Sequence, residues 1–224
     1  MGLGRIRSQP ISFSNQVLGI DAENELRDLR PHLKGRVLEV FCRDGLLGKE
    51  LLASEIDWFG IDPDAAILED AFLYGVFAVS CAICPPKKSY DVIFGAFAPL
   101  SYLSKEGLQD FATAVLDGLC EGGKGFFELW EISSAMIGQA VMNTYDGSSK
   151  IVRACVPVLE NDTVVLDIEW MVAKAKQSPV FMHHREERYL HQRAAIEECF
   201  SWGNIDYLTI NDRLWISVEK PKFK

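Results

Sequence analysis

Between Arg36 and Gly48 the chain runs Arg-Val-Leu-Glu-Val-Phe-Cys-Arg-Asp-Gly-Leu-Leu-Gly: a short apolar strand carrying Glu39, a tight turn, and at once a helix. A strand-to-helix turn of this kind presents free backbone N–H groups to a ligand. Seventeen residues after Gly45 a second apolar run closes on Gly60-Ile-Asp-Pro63. A carboxylate at that point, Asp62, accepts both hydroxyls of a ribose. The bland alternative for Glu39 and Asp62 is a pair of solvated strand-end carboxylates. Further along stand His183 and His184, adjacent in an extended run. Successive side chains of a strand point to opposite faces, so at most one of the two rings reaches a common pocket. His184 is the preferred candidate for proton transfer, with His183 and Tyr102 as the other candidate catalytic residues.

These residues need a scaffold, and the hydrophobic pattern describes one. Arg36–Phe41, Trp58–Ile61, Val76–Ser80, Asp91–Ala96 and Gly125–Leu129 read as short buried strands. Leu46–Ala53, Ala65–Phe72 and Lys105–Cys120 carry apolar residues three and four apart, as helices lying on a sheet do. Ser104 caps the last of these and Gly122–Gly123 ends it. This alternation is the signature of a parallel sheet wound with helices. After Leu129 the rhythm changes. A helical stretch is expected over Ser133–Asn143, then a polar loop at Asp146–Lys150 and a hairpin of Ile151–Leu159 with Thr163–Val172 around Asn161–Asp162. Pro179–His183, a helix Gln192–Phe200 and a closing hairpin, Ile205–Ile210 with Arg213–Val218, complete the pattern. The expected organisation is a single domain over residues 1–224, with 1–20 as a tail or lid and 131–190 as an insertion on the acceptor side.

Composition narrows the partners. In 224 residues, 32 acidic side chains face 23 basic ones, and the net charge of −9 leaves no footprint for a grip on a phosphate backbone. The apolar stretches are well short of the roughly 20 residues that a membrane helix needs. The expectation is a cytoplasmic protein that binds a small molecule, neither nucleic acid nor membrane, with room for a homodimer or a partner protein. The six cysteines sit mostly within apolar runs, as reduced core cysteines do. Cys81 and Cys84 form a lone C-x-x-C without the second ligand pair that zinc requires, so no metal site is expected.

With Glu39, Gly45 and Asp62 in place, the chain resembles the class I S-adenosylmethionine-dependent methyltransferases, whose first motif runs E/D-x-G-x-G-x-G and whose second strand ends in an acidic residue. Ser89–Leu103 is similar to the family's fourth strand and following loop, and Leu119–Glu128 to its glycine turn and fifth strand. Together with the closing helix and hairpin, the likeness covers about four-fifths of the chain in the family's order. It implies an α/β fold with a Rossmann-like seven-stranded mixed sheet, the last strand inserted antiparallel, plus the extra antiparallel β insertion after strand five. It implies S-adenosylmethionine as cofactor, held by Glu39, Phe41, Cys42, Arg43 and Gly45 at the first turn, Asp62 and Pro63 at the second strand, Cys81 and Ala82 on the adenine side, and Ala96 and Phe97 after strand four. The hairpin after strand five and the Arg188-Tyr-Leu segment are similar to small-molecule enzymes of the family, particularly sugar N-methyltransferases.

The departures are specific. Phe41 replaces the first glycine of the motif, as Phe or Tyr does in the DNA cytosine-5 and some RNA enzymes. Arg43 replaces the central glycine, where a bare Cα ordinarily lets the backbone approach the cofactor. Cys81 stands where many relatives carry an Asp for the adenine amino group, and Glu121 replaces the proline before Gly122. The signatures of nucleic-acid enzymes are missing: the chain has Cys84-Pro-Pro in place of a Pro-Cys nucleophile, and strand four ends in Ala96-Phe-Ala-Pro99. Methyl transfer asks mainly for register between nucleophile and methyl group, with a base for some acceptors. Residues expected around the acceptor are Tyr102, Trp130, Tyr145, Glu169, His183 and His184. Two readings follow, N- or O-methylation of a small molecule, or a catalytically silent protein that keeps the fold for binding or scaffolding.

Overall fold

A computed structural model describes residues 20–65, 68, 78–80, 90–130, 140–145 and 148–222. The central strands are β1 (Arg36–Val40), β2 (Asp57–Asp62), β3 (Ala78–Ser80), β4 (Tyr90–Gly95) and β5 (Leu119–Glu128). With β10 (Asn204–Ile210) and β11 (Arg213–Glu219) they form a seven-stranded sheet in the order β10-β11-β5-β4-β1-β2-β3. All neighbours from β3 to β5 pair in parallel, while β11 runs antiparallel to both β5 and β10. This is the expected order, with the last strand inserted antiparallel. The closing hairpin turns on Asn211 and Asp212, both at positive φ as a tight two-residue turn requires.

Each strand alternates its side chains between two apolar layers. Val37, Val92 and Phe94 face Leu26 of α1 (Ala22–Arg27) and Leu47 and Leu51 of α2 (Leu46–Ala53). Leu38 and Ile93 face the opposite layer, built on α3 (Lys105–Gly118) and α4 (Arg193–Cys199) with Phe111, Phe127 and Phe200 at its centre. In α3 the Ser104 side chain accepts from Gly107 N at 3.1 Å, and Leu108, Phe111, Ala112 and Val115 form the buried stripe. The helix stops at Gly118 and not at Gly122–Gly123, which lie inside β5. The C-terminal strand captures that segment: Gly122 N donates to Lys220 O, Lys220 N donates to Gly123 O, and the buried Lys220 ammonium donates to the carbonyls of Leu116 and Leu119.

A second sheet, β6-β7-β8-β9, consists of Ala140–Tyr145, Ser149–Glu160, Thr163–Lys174 and Val180–Tyr189, all antiparallel. The expected hairpin is its centre. The helix expected over Ser133–Asn143 is overturned from Ala140 onward, where the chain pairs with β7 from Ala140 opposite Cys155 to Tyr145 opposite Lys150. Tertiary pairing of the β-branched Val141 and Thr144 overrides a helical period read from one segment alone. Residues 131–139 lie outside the described residues, as do the tail at 1–19, most of the helix expected at Ala65–Phe72, and Cys81, Ala82 and Cys84. No described helix is long and apolar enough to cross a membrane.

Candidate active site

The turn after β1 is held by its own backbone. Cys42 N donates to Ile61 O at 3.1 Å, Gly45 N donates to Cys42 O at 2.9 Å, and Lys49 N donates to Gly45 O as α2 begins. Phe41, Arg43 and Gly45 all have positive φ, at 54°, 55° and 73°. The first two stand where the family motif has its first two glycines. The backbone thus keeps the glycine conformation while carrying side chains, at a cost of roughly 1–2 kcal/mol for each non-glycine residue.

Those two side chains reach across to the loop after β4. Phe41 stacks on Tyr102, with ring centroids 5.7 Å apart and planes 15° from parallel. The Arg43 guanidinium lies 5.0 Å from the centroid of the Phe97 ring. Phe97 and Ala98 are themselves at positive φ, so the loop is bent sharply where it meets the turn. Phe97 N donates to Glu128 at 2.7 Å, and Arg213 bridges Glu128 and Glu25, tying the loop through β5 to α1. Sequence reasoning did not place Glu128 here. Its signal was available, since it ends a parallel strand beside β4 as Asp62 ends β2.

Asp62 is buried at the end of β2 and accepts from Arg43 N and from Asp64 N, each at 2.9 Å. Burial raises its pKa, and these two backbone donors oppose the shift. Asp44, also buried, follows Arg43 in the turn. Pro63 is exposed next to Asp62, whereas Ala96 is buried in the core.

Glu39 and Cys42 point away from the mouth of the turn. The Glu39 carboxyl accepts from the Trp58 indole N–H at 2.9 Å in the layer under α2, and burial pushes its pKa to about 8 against that hydrogen bond. The Trp58 ring fills the space above two glycines. A Cβ on Gly48 would come within 2.3 Å of it, and one on Gly60 within 2.5 Å of it and 2.9 Å of Cys42 Sγ. Burial also raises the Cys42 thiol pKa well above its ordinary value. In the structure these two side chains support the turn, and the turn's backbone is what faces outward.

Strand β9 packs against the short turn after β4. Its inward row is Met182, His184, Glu186 and Arg188, while His183 lies on the other face, paired with Asp167. Arg188 is clamped from several directions. Its guanidinium carbon sits 3.3 Å above the Tyr102 ring, and it donates to Ser101 Oγ at 2.8 Å, to the Tyr102 hydroxyl and to Glu186. His184 Nε2 lies 3.7 Å from Glu186. Burial alone would raise the Glu186 pKa, but His184 and Arg188 outweigh it and hold the carboxyl at about 2. Beyond this cluster a cleft of about 170 Å³ opens between Ser101, Trp130, Tyr189, His191 and Arg193. A His191 ring nitrogen contacts the carbonyls of Leu100 and Leu103, fixing the short turn that carries Tyr102.

Of the residues read from the sequence, the structure brings Phe41 onto Tyr102 and Arg43 onto Phe97 and Asp62, while among the described residues Trp130 and His184 are connected to Tyr102 only through Arg188 and Glu186. Tyr145 and Glu169 share the outer face of the second sheet with His183, away from Tyr102. Cys81 and Ala82, expected on the adenine side, fall outside the described residues.

Solved structures superimpose on this chain along nearly its whole length. This is the class I methyltransferase fold. Streptomyces venezuelae DesVI superimposes with a TM-score of 0.84 over 95% of this chain and 97% of its own, at 16% identity. CalS10, an amino pentose methyltransferase from Micromonospora echinaspora, matches with a TM-score of 0.80, covering 98% and 100%, at 15% identity. The sugar N-methyltransferase KedS8 from a Streptoalloteichus species matches at 0.82, covering 99% and 96%, with 13% identity. No family model matches the sequence, and no curated protein matches it. At these identities the likeness is one of fold, and the chemistry has to be argued from the side chains.

Proposed function

We propose that this chain transfers a methyl group from S-adenosylmethionine to a small molecule. The observation that carries the reading is the pairing of Asp62 with the turn at 41–45. The turn holds the left-handed conformation of a glycine motif without its first two glycines, and its Arg43 N–H orients the Asp62 carboxylate. An ionised carboxylate has about four lone-pair sites. Arg43 N and Asp64 N take two, which leaves acceptor capacity for the two hydroxyls of a ribose. The described residues thus fit the cofactor, with Asp62 for the ribose and the 41–45 turn and Phe97 along the methionine part; Cys81 and Ala82, expected on the adenine side, lie outside the described residues. Bound there, the cofactor would supply an electrophilic methyl on sulfur.

The chain's own residues supply orientation. Arg188, held on Tyr102 and Ser101, forms a rigid wall beside the mouth, and the neighbouring cleft is lined by the aromatic Trp130 and Tyr189 and the polar Ser101 and His191. His184 is the proposed proton acceptor for an acceptor that must lose a proton, with Glu186 as the group that orients it. His183 remains a proposal of the sequence only, since it faces Asp167 on the outer side. The resemblance to CalS10 and KedS8, described as amino pentose and sugar N-methyltransferases, favours an amino sugar as the acceptor class.

One observation favours a second reading. The Arg43–Phe97 contact spans the place where the methionine portion would run, as in a silent protein that keeps the fold for binding. Isothermal titration with S-adenosylhomocysteine separates the two. A methyltransferase binds it and loses that binding in Asp62→Ala. A silent relative gives no heat and no thermal shift at millimolar ligand.

A further inference from the structure

We infer that Tyr102 is a positioning residue, whose ring carries the placement of the 41–45 turn onto β9 and so holds His184 in register with the methyl group. The inference rests on the methyltransferase reading above.

The need for such a residue comes from the chemistry. Transfer in line tolerates little error between base, acceptor and methyl group, and a misplacement of about 1 Å costs on the order of 100-fold. Here the groups stand on different sheets: the turn follows β1 of the seven-stranded sheet, whereas His184 lies on β9, an edge strand of the four-stranded one. Among the described elements, the main contact of the second sheet with the rest of the fold is that of β9 with the short turn Pro99–Tyr102.

The Tyr102 ring sits in that contact and touches both sides. It receives the Phe41 ring, stacked 15° from parallel, and the Arg188 guanidinium at 3.3 Å. Phe41 is itself buried against Phe111 in the main apolar layer, which makes the turn's end of the contact firm. At the other end Arg188 also donates to the Tyr102 hydroxyl and to Ser101 Oγ, and Glu186 joins Arg188 to His184. A continuous route of side chains, Phe41–Tyr102–Arg188–Glu186–His184, thus leads from the turn to the proposed base. It also gives the ring at position 41 a use. Phe41 keeps a left-handed φ of 54° that glycine would adopt without strain, but glycine has no side chain to reach Tyr102.

A ligand seated in the turn restrains Phe41, and along this route it restrains β9. Hydrogen exchange read by mass spectrometry, with and without saturating S-adenosylhomocysteine, measures that on wild type, Tyr102→Leu, Tyr102→Phe and Arg188→Gln. Isothermal titration sets saturation for each protein, and melting temperatures establish folding. In wild type the ligand should slow exchange in Val180–Tyr189 by about threefold or more. Tyr102→Leu and Arg188→Gln should abolish this slowing, while Tyr102→Phe, which keeps the stack, should retain most of it. Arg188→Gln cuts the route on the second sheet, away from the turn, and decides the matter where Tyr102→Leu does not fold. A merely structural Tyr102 would speed exchange in β9 of the unliganded variants and leave the ligand-induced slowing in place; that result, or wild type that binds without any slowing in β9, overturns the inference while the cofactor reading stands. If folded wild type does not bind S-adenosylhomocysteine, the methyltransferase reading fails and takes this inference with it.

Discussion

Arg43 and Phe97, fifty-four residues apart in the sequence, meet above the ends of two neighbouring parallel strands, with the guanidinium carbon 5.0 Å from the ring centroid. Beside them Phe41 and Tyr102 make a second bridge between the same two loops. Both bridges start at positions where the backbone is left-handed. The turn therefore does two jobs that glycine cannot combine, adopting a tight bend and fastening it to the loop after β4.

The two bridges differ in what they contribute to stability, and substitution to glycine separates them. Phe41 is buried in the main apolar layer, so Phe41→Gly loses a packed aromatic, about 3–5 kcal/mol, and recovers about 1–2 kcal/mol of backbone strain. A net loss of roughly 2 kcal/mol is expected in urea denaturation. Arg43→Gly recovers similar strain and gives up the contacts of a half-buried side chain, its cation–π contact of about 0.5–2 kcal/mol among them, so its loss should be smaller than that of Phe41→Gly. Two equal, large losses would show that the bridges are equivalent and that this account is wrong.

Trp58 makes the packing under the turn intolerant of small additions. Gly48→Ala places a methyl group 2.3 Å from the Trp58 ring, against side-chain atoms that are themselves pinned by Glu39 and Gly60. Overpacking of this kind costs about 1–3 kcal/mol and would push α2 away from the sheet. A melting curve on Gly48→Ala should show the loss, and Gly48→Ala combined with Trp58→Phe should regain part of it through the smaller ring. An unchanged melting temperature in the single variant would contradict the packing described.

Sequence reading recovered the sheet because each central strand is a short apolar run, and two of them end in a chemical mark, β1 in the turn at 41–45 and β2 in Asp62. It placed Asn161 and Asn211–Asp212 correctly because these side chains tolerate positive φ. It misread Ala140–Asn143, since that strand exists only through pairing with β7, which no local pattern encodes. The same limit applied to side-chain direction. Glu39 reads as a ligand contact from its place in the motif, yet Trp58, nineteen residues on, turns it inward. Glu186 and the Arg188 clamp were out of reach for the same reason, because the 3-10 turn at Pro99–Tyr102 meets β9 only in the folded chain.

Glu39 makes stability depend on pH in an unusual direction. Its carboxyl titrates at about 8 in the folded protein, raised by burial from an ordinary 4.5. Between those values the native state holds a proton that the unfolded chain has released, so Glu39 makes stability fall as pH rises through this window. The loss is complete above about pH 8 and is on the order of a few kcal/mol. Glu39→Gln keeps an acceptor for the Trp58 indole and cannot ionise. Urea denaturation of both proteins at pH 5 and pH 8 should show the variant gaining on wild type at the higher pH. Parallel curves would mean that Glu39 is not buried as a neutral acid.

Glu186 works with the opposite sign. His184 and Arg188 hold it at about 2 despite burial, so the folded state favours its ionised form. Its contribution is fully present above the ordinary carboxyl range near 4.5 and is lost as pH falls from there toward 2, an effect on the order of 2–3 kcal/mol. Glu186→Gln should lower stability at neutral pH and narrow its gap to wild type at pH 3. Because Glu186 also steadies Arg188 against Ser101 and Tyr102, the variant should loosen the contact between β9 and the turn at Pro99–Tyr102 as well. Amide hydrogen exchange at Ser101 and Leu103, whose N–H groups close the turn onto Ala98 and Leu100, reads that directly. Faster exchange there, with the N–H of Leu108 in α3 unchanged, is the expected outcome; unaltered exchange at Ser101 and Leu103 would show that the turn is held without the Glu186–Arg188 pair.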